Sequence, residues 1–204
     1  MKRLPLSLLF LLLGVILVFT ACATIPSDNT ATIQTTSDLI GIVDDTAYIS
    51  LTGTIWGDSP NELWQNLLVL KRQGITKITL IVNSGGGSAF GCFAYCEMLD
   101  KAKDEGFYIL GKAHGLVASA AVPIFAACSE RIATPNTIFM VHKPPRIYAD
   151  EDVCELFDMT DEIYVSLLAK YSDLEFEEAD KKCNEFTWFS AKQAKRWGIV
   201  DRIE

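Results

Sequence analysis

The stretch "ITKITLIVNS", residues 75–84, is a nearly continuous apolar run, which is how a strand reads when both of its faces are covered. Three glycines follow it, then a helix-like segment, "SAFGCFAYCEMLDKAKDEG". A second strand, "FYILGKAHG", leads into a helix of small residues beginning near Ser119. Strand, helix, strand and helix thus recur on short connections, and that order predicts a largely parallel α/β sheet.

The flanks extend the pattern. "TAYISLTGTI" alternates and is β-branched, so it reads as a strand. "SPNELWQNLLVLKRQG" has Ser59 as N-cap, Pro60 at the first helical position and Gly74 at the end, with Leu63, Leu67, Leu68 and Leu70 as its apolar face. Beyond "RIATPNTIFMVHKPP", two short extended pieces around Pro135-Asn136, residues 150–171 predict a long amphipathic helix and 174–184 a second. "SAKQAKRWG" predicts a third, capped by Ser190 and closed by Gly198, and "IVDRI" a last strand.

The N-terminus reads differently. Lys2 and Arg3 precede an apolar run that ends in "TAC", the layout of a secretory signal. Residues 1–21 are expected to be cleaved and Cys22 acylated, as in a bacterial lipoprotein; an uncleaved anchor is the other reading. Either would place the domain outside the cytoplasm, tethered to the membrane. Residues 22–38 are polar, Thr-rich and aperiodic, a flexible tether, and residues 39–204 form the domain. Without residues 1–21, 16 Lys and Arg face 26 Asp and Glu, a net charge of −10. That balance argues against nucleic acid as a partner, because phosphate binding needs clustered cations. Besides Cys22 there are Cys92, Cys96, Cys128, Cys154 and Cys183. They lack the paired spacing of a zinc site, so no metal is expected, and most read as small core residues.

Three pieces follow predicted strands directly: "NSGGG" (83–87), "GLVASAA" (115–121) and "MVHKPP" (140–145). In a parallel sheet, ligand sites gather at the carboxyl ends of strands. Alone, the glycines are a turn and Ser119 a helix cap. Together they supply the parts of an acyl-transfer site. A serine hydroxyl needs an adjacent base, and of the two histidines His142 ends an apolar strand, with Pro144 and Pro145 holding the next residues extended, whereas His114 sits on the strand feeding the serine turn. Gly87 and the N–H of Ala120 are placed to bind a developing oxyanion.

These segments resemble the Clp protease proteolytic subunit (ClpP), within a ClpP/crotonase fold shared with signal peptide peptidase A. The resemblance runs from about Ala47 to Ile203 through "ISLTGTI", "ITLIVNSGGG", "GLVASAAVPIFAAC", "RIATPNTIFMVHKP" and "WFSAKQAKRWGIVD". It implies repeated ββα units, a mainly parallel sheet and C-terminal helices. It also implies Ser119 as nucleophile, His142 as base, and Gly87 and Ala120 as oxyanion donors. Gly85 stands where the family usually has Pro. The family's acid falls at Phe186, which leaves Glu185 or Asn184 as a variant third member, or a bare Ser-His pair. A Ser-Lys dyad through Lys112 or Lys143 is a further arrangement.

The expected activity is therefore a serine-type endopeptidase that needs no cofactor, assembles as a homo-oligomer, and cleaves peptides or unfolded proteins without ATP. If the export signal is not used, a cytoplasmic subunit working with an ATPase is the alternative. A catalytically impaired scaffold and a crotonase-type acyl-CoA enzyme are the others.

Overall fold

In a computed structural model that describes residues 37–143 and 151–204, the chain runs β1 (Ser37–Val43), β2 (Thr46–Ile55), α1 (Ser59–Arg72), β3 (Lys77–Gly87), α2 (Ala89–Asp104), β4 (Tyr108–Ala118) and α3 (Ala121–Ala126). It continues with β5 (Glu130–Ala133), β6 (Ile138–Val141), α4 (Glu151–Lys170), α5 (Phe176–Asn184), β7 (Thr187–Ser190), α6 (Ala191–Arg196) and β8 (Arg202–Ile203). The strands lie in the order β1-β2-β3-β4-β5-β8, with β6 pairing β4 and β7. The β2–β3, β3–β4, β4–β5, β4–β6 and β5–β8 pairs are parallel. Among the described residues only two pairs are antiparallel: the β1–β2 hairpin, and β6–β7, whose strands are separated in sequence by α4 and α5. The mixed α/β class with a mainly parallel sheet is as the sequence predicts.

The apolar run at the centre of the sequence is the middle of β3, where Ile78, Thr79, Leu80 and Val82 are all buried. Consecutive buried residues mean cover on both faces of the sheet. The strand is longer than expected, because it carries on through the glycine triplet to Gly87, which pairs with Ile55 of β2. Helix α2 starts from Ser88, whose hydroxyl accepts from Gly91 N at 3.2 Å, and α6 starts from a capping box between Ser190 and Gln193.

Three boundaries differ from the sequence reading. Helix α1 takes Asp58 rather than Ser59 as its N-cap, and no side chain caps it; the Ser59 hydroxyl instead accepts from Trp56 N at 3.0 Å, closing the Gly57–Asp58 turn. Strand β1 begins at Ser37, inside the stretch read as tether. Strand β7, "TWFS", is not among the strands expected from the sequence. The expected signal, Cys22 and nearly all of the tether lie outside the described residues, as do Pro144 and Pro145. Among the described residues no helix is long and apolar enough to cross a membrane.

Candidate active site

Strand β4 is shared by two partners. Leu110 to Ala113 pair with β5, whereas Leu116 to Ala118 pair with β6 in a register that sets Ala118 against Met140. The residues just past that register are Ser119 on one strand and Val141 and His142 on the other, so the sheet itself delivers the two side chains side by side. Ser119 N donates to Met140 O at 2.7 Å, extending the ladder by one bond. The serine then turns sharply into α3 with φ 53°, a left-handed conformation that L-residues seldom adopt and that the surroundings must hold. Val122 N closes the turn on Ser119 O at 2.9 Å.

His142 Nε2 lies 2.9 Å from Ser119 Oγ, within reach for proton transfer. Burial lowers the imidazole pKa below its ordinary value, and the Lys143 main chain offsets this in part. The ring therefore favours the neutral form, whose Nδ1–H tautomer leaves Nε2 free to accept the serine proton. Its other nitrogen, Nδ1, is buried and has no hydrogen-bond partner among the described residues.

Phe186, the position at which the resemblance puts the family's acid, lies beside the imidazole. Its ring centroid is 4.7 Å from that of His142, with the Phe186 backbone at φ 55° and the side chain half exposed. The two neighbours weighed from the sequence do not replace it. Asn184 Nδ2 donates to Asp180 Oδ2 at 2.9 Å, and the Glu185 carboxylate faces Lys181 along the same helix. Both are turned to the solvent side of α5, so the imidazole is backed by an aromatic ring and not by a carboxylate or amide. Lys143 is held by Asp180 at 2.6 Å, and its N–H donates to Cys183 O at 3.1 Å. This ties the backbone following the histidine to α5. Lys112 and His114 line a separate hollow with Thr134 and Glu204, away from Ser119, which disposes of His114 as the base and of Lys112 as a dyad partner.

Gly87, Ala89, Ser119, Ala120, His142, Thr160 and Tyr164 line one cavity of about 80 Å³. The glycines of β3 are what let its end come this close to the serine turn. A Cβ on Gly86 would fall 2.7 Å from Ala118 O and from Ser119 Cβ, and one on Gly87 would fall 2.2 Å from Ile55 O. Both also have positive φ, which a side chain would strain. Buried Ser84 braces this loop: its hydroxyl donates to Gly53 O at 2.6 Å and accepts from Gly86 N at 3.1 Å. Gly87 and Ala120, the two expected oxyanion donors, thus border the same space as the Ser119–His142 pair.

Two participants escaped the sequence reading. Ser84 passes for one more polar turn residue, and Tyr164 for one aromatic on the buried face of an amphipathic helix. The Tyr164 hydroxyl donates to Ser119 O at 3.0 Å. Cys92, Cys96, Cys128 and Cys183 are buried and form no disulfide, and Cys154 is partly exposed. Burial pushes the Cys128 thiol up to about 12, so it stays protonated. No group of three or more His, Cys, Asp or Glu among the described residues could hold a metal ion.

The Clp protease family model matches residues 31–204. Proteolytic subunit 2 of the ATP-dependent Clp protease from Corynebacterium diphtheriae is 30% identical over 151 residues, covering 70% of this chain and 74% of that protein. Its counterpart from Gluconobacter oxydans is 28% identical over 184 residues, covering 86% and 82%. Among solved structures, a ClpP1 mutant from Listeria monocytogenes matches with a TM-score of 0.69 at 26% identity, over 77% of this chain and 90% of that one. A family match across nearly the whole described fold, with relatives covered over most of their own length, shows that the chain belongs to the Clp protease family and is a serine-type peptidase with the ClpP fold.

Proposed function

We propose that the chain is a serine-type endopeptidase working through a Ser119–His142 pair without a third acidic member. The observation that carries this is the 2.9 Å contact between His142 Nε2 and Ser119 Oγ on a cavity that Gly87 and Ala120 also line. Ser119 Oγ attacks the peptide carbonyl carbon as its proton passes to Nε2. The tetrahedral oxyanion lies against the N–H groups of Gly87 and Ala120. His142 then returns the proton to the departing amine, and water hydrolyses the acyl-enzyme by the same route.

Labelling with a serine-directed fluorophosphonate tests this. Wild type should react, while Ser119→Ala should not and His142→Ala should react at least 100-fold more slowly. Equal labelling of wild type and Ser119→Ala would remove the nucleophile assignment. A folded wild type that does not react would favour the impaired scaffold.

The same proposal has the domain assemble as a homo-oligomer and act on peptides or unfolded protein, outside the cytoplasm, tethered through Cys22 and without ATP. Support for that placement is the N-terminal sequence alone. The second reading is a subunit partnered by an ATPase, favoured by the names of the Corynebacterium and Gluconobacter relatives, which are ATP-dependent. Protease accessibility of a tagged domain in intact cells separates them: a domain shielded by the inner membrane supports the ATPase partner.

A further inference from the structure

The peptide group between Ser119 and Ala120 carries two jobs at once. Its carbonyl belongs to the nucleophile, and its N–H, on Ala120, is one of the two proposed oxyanion donors. In a trans planar peptide the C=O and the following N–H point in opposite directions. Whatever fixes Ser119 O therefore fixes where the Ala120 N–H aims. Two donors hold that oxygen: Val122 N at 2.9 Å and the Tyr164 hydroxyl at 3.0 Å.

The first of these is local to the turn, whereas the second reaches it from α4, 45 residues further along the chain. Ser119 is held left-handed, and a strained residue of this kind persists only when its surroundings over-determine it. Tyr164 is buried, and burial keeps its phenol protonated by raising its pKa, so it is a permanent donor. It also lines the cavity beside Ser119 and Ala120.

We infer that Tyr164 is a positioning residue for the oxyanion site, its hydroxyl holding the Ser119–Ala120 peptide so that the Ala120 N–H faces the attacked carbonyl. This rests on Ser119 being the nucleophile. Without the hydroxyl the peptide loses one of its two carbonyl ties and relaxes away from the strained orientation, while the cavity keeps its shape and His142 keeps its place.

The test is Tyr164→Phe in the full-length protein, with fluorophosphonate labelling followed against probe concentration and pH. The maximal labelling rate should fall about 10-fold, less than the 10²–10³ that accompanies outright removal of an oxyanion donor. Half-saturation and the pH of the base limb should stay where they are, because His142 is untouched. If Tyr164→Phe does not fold, Tyr164→Met, also without the hydroxyl, must show the same loss. An unchanged maximal rate overturns the inference, as does a loss seen only as a smaller labelled fraction, which would mean that the tyrosine merely supports the fold. A folded wild type that fails to label overturns the nucleophile reading and this inference together.

Discussion

Behind the imidazole of His142 the chain puts a benzene ring, and the consequence is chemical. A carboxylate on Nδ1 would hold the reactive tautomer and, in the proposed mechanism, stabilise the imidazolium formed when Ser119 gives up its proton; replacing such a group in a working triad costs about 10⁴ in turnover. Phe186 can only pack against the ring, 4.7 Å away, while Nδ1 is left buried without a partner among the described residues. Yet the backbone at Phe186 is left-handed, φ 55°, where Asp and Asn are tolerated better than a bulky aromatic. Phe186→Asp is therefore expected to fold at least as well as wild type and to raise the fluorophosphonate labelling rate by about 10- to 100-fold, a part of the full triad effect. The sign of its pH dependence follows. Burial depresses the His142 pKa in wild type, so the base is free above a limb lying below the ordinary imidazole value. A neighbouring carboxylate favours the charged ring and moves that limb to higher pH. A rate and limb identical to wild type would show that the side chain at 186 does not govern His142.

Helices α2 and α4 are joined at a single carboxylate. Asp100 on α2 receives Lys170 at 2.6 Å and the Tyr171 hydroxyl at 2.7 Å from the end of α4, and Lys103 at 2.9 Å from its own helix. Burial pulls its pKa upward, but Lys170, Lys103 and Tyr171 outweigh it and hold the carboxyl at about 2. Because the folded value is depressed, the stabilisation is full above the unfolded carboxylate value near 4 and fades as pH falls toward 2. With solvent screening it is worth about 1 kcal/mol. Asp100→Asn should lower urea-unfolding stability by that amount at pH 7 and by much less near pH 2.5; an equal loss at both would mean that the charge is not what matters. No such long-range pairing is visible in a sequence, although the elements it joins are. The strand through Ile78, Leu80 and Val82 and the helix on Leu63, Leu67 and Leu70 announce themselves because burial imposes a period. β1 and β7 did not, since each is an antiparallel edge piece whose partner, not its composition, makes it a strand. The convergence of Ser119 and His142 was legible as two strand ends, but the split of β4 between β5 and β6 that brings them to 2.9 Å, and the Tyr164 contact from α4, arise only in three dimensions.

Among the described residues, helix α4 is left half clothed. On α4, Tyr164, Val165 and Leu168 are buried, while Val153, Leu156, Met159 and Ile163 are exposed. Leu156, Met159 and Ile163 are spaced three and four apart, so they line up as one outer stripe. An apolar stripe on so acidic a chain is what an interaction surface looks like, and the proposed homo-oligomer gives it an occupant, a second copy of the same helix region. Four side chains are far too little by themselves, because a stable interface buries about 1,200–2,000 Å² in total. They would instead form the dry centre of a larger contact, and charge placed there should be intolerable. The double substitution Leu156→Glu and Ile163→Glu adds two buried negative charges per subunit to copies that are already strongly acidic, and the desolvation and like-charge repulsion act in the same direction. The full chain should sediment as a multiple of one subunit, and the double variant should sediment as a smaller species with its circular dichroism unchanged. Wild type sedimenting as a single chain would refute the assembly. An intact oligomer in the folded double variant would move the contact to another face.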